Sequence, residues 1–225
     1  MYIKEPLEKA QAVVIWLHGL GSDYRDMEAL SQAFTNPEPI CHIYLQAPNR
    51  SVTINGGMMM PAWYDICDIS LTNREDLDGI VESRCQVERA IQSQLDNGFT
   101  SEQIYLAGFS QGAAIALFTG IGYANRLGGV MVLSGYIPKP DALECHQVKT
   151  LPVFLGVGRY DDVVLPQWSQ MSFQFLKNHG YNEAIIQEYD MAHAICSDEV
   201  RDCSNWLSDR IQINIQRVLM SSEGL

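Results

Sequence analysis

Residues 104–118 read IYLAGFSQGAAIALF. One hydroxyl, Ser110, stands between Gly108 and Gly112, directly after an apolar run and directly before another. The first run has the length of a strand, and the second has the small-residue content of a buried helix. A serine on so tight a strand-to-helix bend has a strained backbone, and glycines two residues either side leave room where strand and helix nearly collide. The bend lifts Oγ out over the end of the strand. It also aims the free N–H groups of the helix start at the same point. The pattern G-x-S-x-G alone is weak, and its place between strand and helix is what gives it meaning.

Other strand-length apolar runs lie at 12–17, 41–47, 128–135, 152–158 and 184–191. Most are continuous, as expected for strands buried on both faces of a parallel sheet. Helical patterns alternate with them. Met27, Leu30 and Phe34 recur in 23–34. Leu77, Ile80, Val81, Cys85, Val87 and Ile91 form a stripe in 74–98. Segment 168–180 ends at Gly180, and Val200, Cys203, Trp206, Leu207, Ile211 and Ile215 share one side of 198–218. The expectation is one α/β domain over 1–225, with a mostly parallel central sheet and helices on both faces. The exception is 48–73, rich in Gly, Pro and Asn and without clear periodicity, which reads as a long functional loop.

A serine hydroxyl needs a base to take its proton. On this kind of bend the partners follow in chain order, acid and then histidine, each on a loop after a later strand. Run 152–158 is followed by Asp161 and Asp162, and run 184–191 by His193. His193 is the candidate base, since imidazole exchanges protons near neutral pH. An oxyanion would need two backbone donors. The N–H of Gln111 follows the serine, and Leu20 lies in the glycine-flanked turn His18-Gly19-Leu20-Gly21 after run 12–17. Backbone donors survive side-chain changes, so Leu20 and Gln111 are expected to tolerate substitution better than Ser110. His18 reads as shaping the turn.

The blocks HGLGSD (18–23), GGMMMPAWYDI (56–66), EDLDGI (75–80), GFSQGAA (108–114), LSGYIP (133–138), YDDVV (160–164) and MAHAICSDEVRDCSNWL (191–207) together resemble the phospholipase/carboxylesterase family, which includes the acyl-protein thioesterases. The resemblance spans about 12–210. It implies an α/β-hydrolase fold without a large lid domain and hydrolysis of carboxylic esters, thioesters or lysophospholipids. It also implies Ser110 as nucleophile, Asp161 as acid, His193 as base, and Leu20 and Gln111 as oxyanion donors. Members commonly show His-Gly-x-x-Asp-Pro around the acid, where this chain has Val157-Gly158-Arg159-Tyr160-Asp161-Asp162, so the loop beside the acyl site is expected to be altered.

Candidate apolar walls for an acyl chain are Trp63, Val163 and Leu165, with Met58, Met59 and Met60 on a glycine-hinged loop. That loop, 56–63, is expected either to fold over the acyl chain or to touch a lipid surface transiently. A shallow site favours short to medium acyl esters. The rival readings are a dienelactone-hydrolase-like enzyme, which would more often carry cysteine at the bend, and a non-catalytic binding protein on the same fold.

The net charge of −12 excludes a basic nucleic-acid footprint. No cofactor fingerprint or metal-ligand spacing is present, so neither cofactor nor metal is expected. Six cysteines without CxxC pairs read as reduced thiols, with Cys41, Cys67 and Cys85 as small core fillers and Cys196 partly exposed near a site. The apolar run 12–17 is too short for a signal core or membrane span. A cytoplasmic enzyme, forming at most a weak homodimer through exposed apolar loop surface, is the expectation.

Overall fold

The structure, a computed structural model, describes residues 1–68, 75–143 and 149–222, with side chains up to 217. Cys145, His146 and the stretch 69–74 lie outside the described residues. A seven-stranded sheet runs in the order β1 (Tyr2–Lys4), β3 (Ile40–Leu45), β2 (Ala12–Leu17), β6 (Ile104–Phe109), β7 (Gly129–Leu133), β8 (Val153–Gly158) and β9 (Ala184–Tyr189). Only β1 is antiparallel to its neighbour; the others pair in parallel. The central strands are buried except at Phe109, the last residue of β6, which explains their unbroken apolar runs. Strand β9 closes one rim, and its middle residues reach solvent.

Two apolar cores lie on opposite faces. One gathers Val13, Ile15, Leu106, Val130 and Leu155 beneath α2 (Leu77–Asp96) and α3 (Gln111–Gly122), with α4 (Pro166–Asn178) contributing Leu176. The other gathers Val14, Trp16, Tyr105 and Met131 beneath α1 (Tyr24–Gln32) and α5 (Ser197–Ser222). The odd-even split along each strand is the period-2 alternation of a two-faced sheet. Helix α3 is buried at every position, so its face could not be read from periodicity.

Three expectations need correction. Leu77 and Val81 are exposed on α2, and the buried stripe is Ile80, Ser83, Val87, Ala90, Ile91 and Gln94. Polar residues enter that stripe where they have a local use: the Ser83 hydroxyl donates to Trp63 O. Cys67 and Cys85 are half-buried rather than core fillers; the Cys67 thiol donates to Asp65 Oδ2. Finally, 48–61 is regular: β4 (Asn49–Val52) and β5 (Met58–Pro61) form an antiparallel hairpin. Gly56 and Gly57, with φ of 67° and 78°, supply the left-handed turn between them.

The hairpin is tied down rather than hinged. Asp65 accepts from Thr53 N–H at 2.7 Å and from its hydroxyl at 2.5 Å. Arg50 reaches Glu82 and Asp76 at the start of α2, and Gly21 N–H donates to Pro61 O at 2.8 Å. Among the described residues no helix is long and apolar enough to cross a membrane.

Candidate active site

The C-terminal ends of the parallel strands β2, β6, β8 and β9 open on one edge of the sheet, and each delivers one part of the site. Strand β6 ends at Ser110, whose φ of 55° and ψ of −122° lie outside the ordinary regions for an L-residue. The glycines make this possible. A Cβ on Gly108 would stand 2.5 Å from the Gly112 carbonyl carbon, and one on Gly112 would stand 2.3 Å from Leu17 O. Strand β6 and helix α3 therefore meet backbone to backbone, with β2 directly alongside.

Asp161 follows β8 and His193 follows β9. His193 Nδ1 lies 2.8 Å from Asp161 Oδ2, and His193 Nε2 lies 2.9 Å from Ser110 Oγ. The carboxylate can only accept, so Nδ1 carries the proton and Nε2 accepts from the serine hydroxyl. The Asp161 side chain is 1% exposed and the His193 side chain 18% exposed, so the acid is sealed while the base reaches the cleft. Burial pushes the Asp161 carboxyl up, but hydrogen bonds from His193 and from the Val163 and Val164 N–H groups outweigh it and hold the acid below the ordinary range. Asp162 is exposed and shares none of these bonds, so the geometry separates the two neighbouring acids in favour of Asp161.

The turn after β2 carries Leu20. His18 is fully buried beneath it, pushed down by burial and therefore neutral. Its Nε2 accepts from Ala47 N–H at 3.1 Å, and its Nδ1–H donates to Gly19 O at 2.8 Å, which fixes the turn as expected for a shaping residue. Leu20 and Gln111 both line the cleft, and among the described residues neither backbone N–H has an acceptor.

The cleft over Ser110 encloses about 510 Å³. Of its apolar lining, Tyr64 and Ile66 belong to the core on one face of the sheet, Tyr136 and Val164 to a small cluster with Ala114, and Met27, Leu30, Phe109 and Ile195 to the core on the other face. Tyr64 and Tyr136 join hydroxyl to hydroxyl at 2.9 Å, and burial pushes both phenols up, so they form a neutral floor. Val163 lines the cleft as expected, half its surface exposed. Leu165 caps α4 instead, and its place in the wall is taken by Val164.

Trp63 is also displaced from its expected role. It is fully buried, its indole N–H donates to His18 O at 2.8 Å, and its ring packs in the core. Met58 and Met59 stand exposed on β5 outside the cleft, and Met60 is half-buried beside Gly21. The three methionines belong to a regular hairpin, and none of them lines the cleft. The residues missed from sequence include Tyr136, three positions after the end of β7, and Ile195, six after the end of β9 and two after His193. That position along the chain is the signal that could have found them.

The sequence pattern described as Phospholipase/Carboxylesterase matches residues 1–211. The chain belongs to this family. A relative named Acyl-protein thioesterase 1 from Yarrowia lipolytica is 33% identical over 210 residues, covering 89% of this chain and 92% of its own. Another of the same name from Schizosaccharomyces pombe is 35% identical over 192 residues, covering 83% and 85%. Among solved structures, Zea mays acyl-protein thioesterase 2 superposes with a TM-score of 0.81 at 27% identity, covering 93% of this chain and 98% of its own. Arabidopsis thaliana SOBER1 reaches 0.84 at 27% identity, covering 89% and 99%. The seven-stranded sheet with flanking helices is thus an α/β-hydrolase fold, and the protein is a phospholipase/carboxylesterase-family hydrolase.

Proposed function

We propose that the protein is a serine esterase that cleaves carboxylic esters and thioesters of short to medium acyl chains through an acyl-enzyme on Ser110. The observation that carries this is the unbroken relay from Ser110 Oγ through His193 to Asp161, at 2.9 Å and 2.8 Å, in the wall of a mostly apolar cleft. Oγ attacks the substrate carbonyl while its proton passes to His193 Nε2. Asp161 holds the imidazole by Nδ1 and stabilises the imidazolium. The Leu20 and Gln111 N–H groups face the oxyanion, each worth roughly 10²–10³ in rate. When the tetrahedral intermediate collapses, Nε2–H protonates the departing oxygen or sulfur. Water, deprotonated by the same nitrogen, then releases the acid and restores the serine. The thioesterase names of the two fungal relatives support extending the substrate class to acylated protein thiols.

A fluorophosphonate probe is expected to label Ser110, and Ser110→Ala is expected to lose labelling and at least about 10⁴-fold of ester turnover. Full turnover by that variant would exclude the mechanism. Natural substrate class is tested on a side-by-side panel of p-nitrophenyl esters, lysophospholipids and acylated peptides.

The β4–β5 hairpin supplies a second element of this proposal. Met58 and Met59 are 62% and 63% exposed on β5, next to the Gly56–Gly57 turn. They dip transiently into an interface that presents acylated substrates. Co-sedimentation with neutral phosphatidylcholine vesicles is expected to fall several-fold in the Met58→Ser/Met59→Ser double variant; equal sedimentation would remove this role.

A further inference from the structure

The cleft is asymmetric in charge. Besides His193, Asp26 is the only ionisable acid or base side chain among its described lining residues, tyrosines aside. It stands on the first turn of α1, at the rim of the side formed by Met27, Leu30, Phe109 and Ile195. Ser22, which also lines the cleft, donates its hydroxyl to Asp26 Oδ2 and holds the carboxylate at that rim. Asp23, three residues away, is already paired with Arg25 at 2.9 Å, whereas Asp26 has no cationic partner among the described residues. The carboxylate's influence reaches inward, since Asp23 and Asp26 both act to raise the buried His18 imidazole beneath the oxyanion turn.

The two sides of the cleft suit different halves of an ester. The side floored by Tyr64 and Tyr136 and walled by Ile66 and Val164 carries no charge and suits an acyl chain. The opposite side holds Ile195, two residues after the base that must protonate the leaving group, together with Met27, and Asp26 is Met27's neighbour in the chain. An acyl chain gains nothing from a carboxylate, but an alcohol or thiol bearing a positive charge does.

We propose that Asp26 is a specificity-determining residue that selects leaving groups carrying a cation a few bonds from the scissile oxygen or sulfur. This rests on the esterase reading of Ser110. The contact is solvent-exposed, so its effect is modest, salt-screened and expressed in the comparison of charged with uncharged substrates.

The test uses butyrylthiocholine and its uncharged isostere, S-(3,3-dimethylbutyl) thiobutyrate, which share acyl chain and leaving-group shape. The ratio of their kcat/KM values is expected to favour the cation in the native protein. Asp26→Asn is expected to lower that ratio about two- to fivefold, with the difference shrinking in high salt. Asp26→Glu retains most of the ratio. Glu82→Gln, which removes one equally negative charge from an exposed side chain paired with Arg50, leaves it unmoved. Robust turnover of both substrates with the same ratio in Asp26→Asn and native protein would overturn the role of Asp26 alone. Absence of turnover of both substrates by native protein would instead overturn the esterase reading on which it depends.

Discussion

Gln111 serves the site through two different parts of itself. Its backbone N–H faces the cleft at the start of α3, while its buried side chain grips the segment after the hairpin. Oε1 accepts from Trp63 N–H at 2.8 Å, and Nε2 donates to Tyr64 O at 2.8 Å. The expectation that Gln111 tolerates substitution therefore does not extend to its side chain. Gln111→Ala would strand a buried N–H and a buried carbonyl, and each costs about 1–3 kcal/mol unmatched. It is expected to lower the urea midpoint by the equivalent of about 2–4 kcal/mol and to cut kcat through loss of the Tyr64 floor. Urea titration and ester kinetics check both, and a stability loss under about 0.5 kcal/mol would show that the clamp carries no weight. Ser110 and His193 are legible in sequence because bend and chain order constrain them, whereas chain order leaves Asp161 and Asp162 open and only the hydrogen bonds of Asp161 separate them. The Gln111 clamp is invisible there, since its partners lie 47 and 48 positions away.

At the scale of elements, the legible parts are those with a local cause. Strand β2 ends where its apolar run ends, and β6, β8 and β9 stay within two residues of theirs. Gly108 and Gly112 announce the close approach that their missing Cβ atoms allow. The illegible parts have non-local causes. Strand β1 is three exposed residues and exists only because β3 offers an edge to pair with. The β4–β5 hairpin has too little alternation to be read as strands and is held largely by Asp65, Asp76 and Arg50. The true stripe of α2 includes Ser83 and Gln94, polar residues that no hydrophobic periodicity would select.

For the whole molecule, the negative charge that governs the surface has a buried counterpart in the fold. Glu199, in the first turn of α5, is fully buried against β8, where a Cβ on Gly156 would stand 1.9 Å from its Oε1. Neither carboxyl oxygen has a partner among the described residues, and burial alone pushes the group up to about 8. Between the ordinary glutamate range and about 8, the folded chain keeps a proton that the unfolded chain has released. Stability therefore falls as pH rises through that window, by up to about 1.4 kcal/mol per pH unit. Glu199→Gln is expected to flatten this slope and to gain stability over the native protein at pH 8 relative to pH 5. Parallel urea midpoints across that range would show that the carboxyl titrates normally.

Strands β8 and β9 pair in unbroken register from Val153 with Ala184 to Gly158 with Tyr189. The separation of acid and base is thus inherited from a ladder of main-chain bonds. A slip of one step along it would carry the imidazole about 3.3 Å away from both its partners while leaving most of the core intact. Because β9 has a neighbour on one side only, the chemistry is entrusted to an edge member of the sheet. Competence to react is then forfeited at the margin of the molecule, while its centre is still whole.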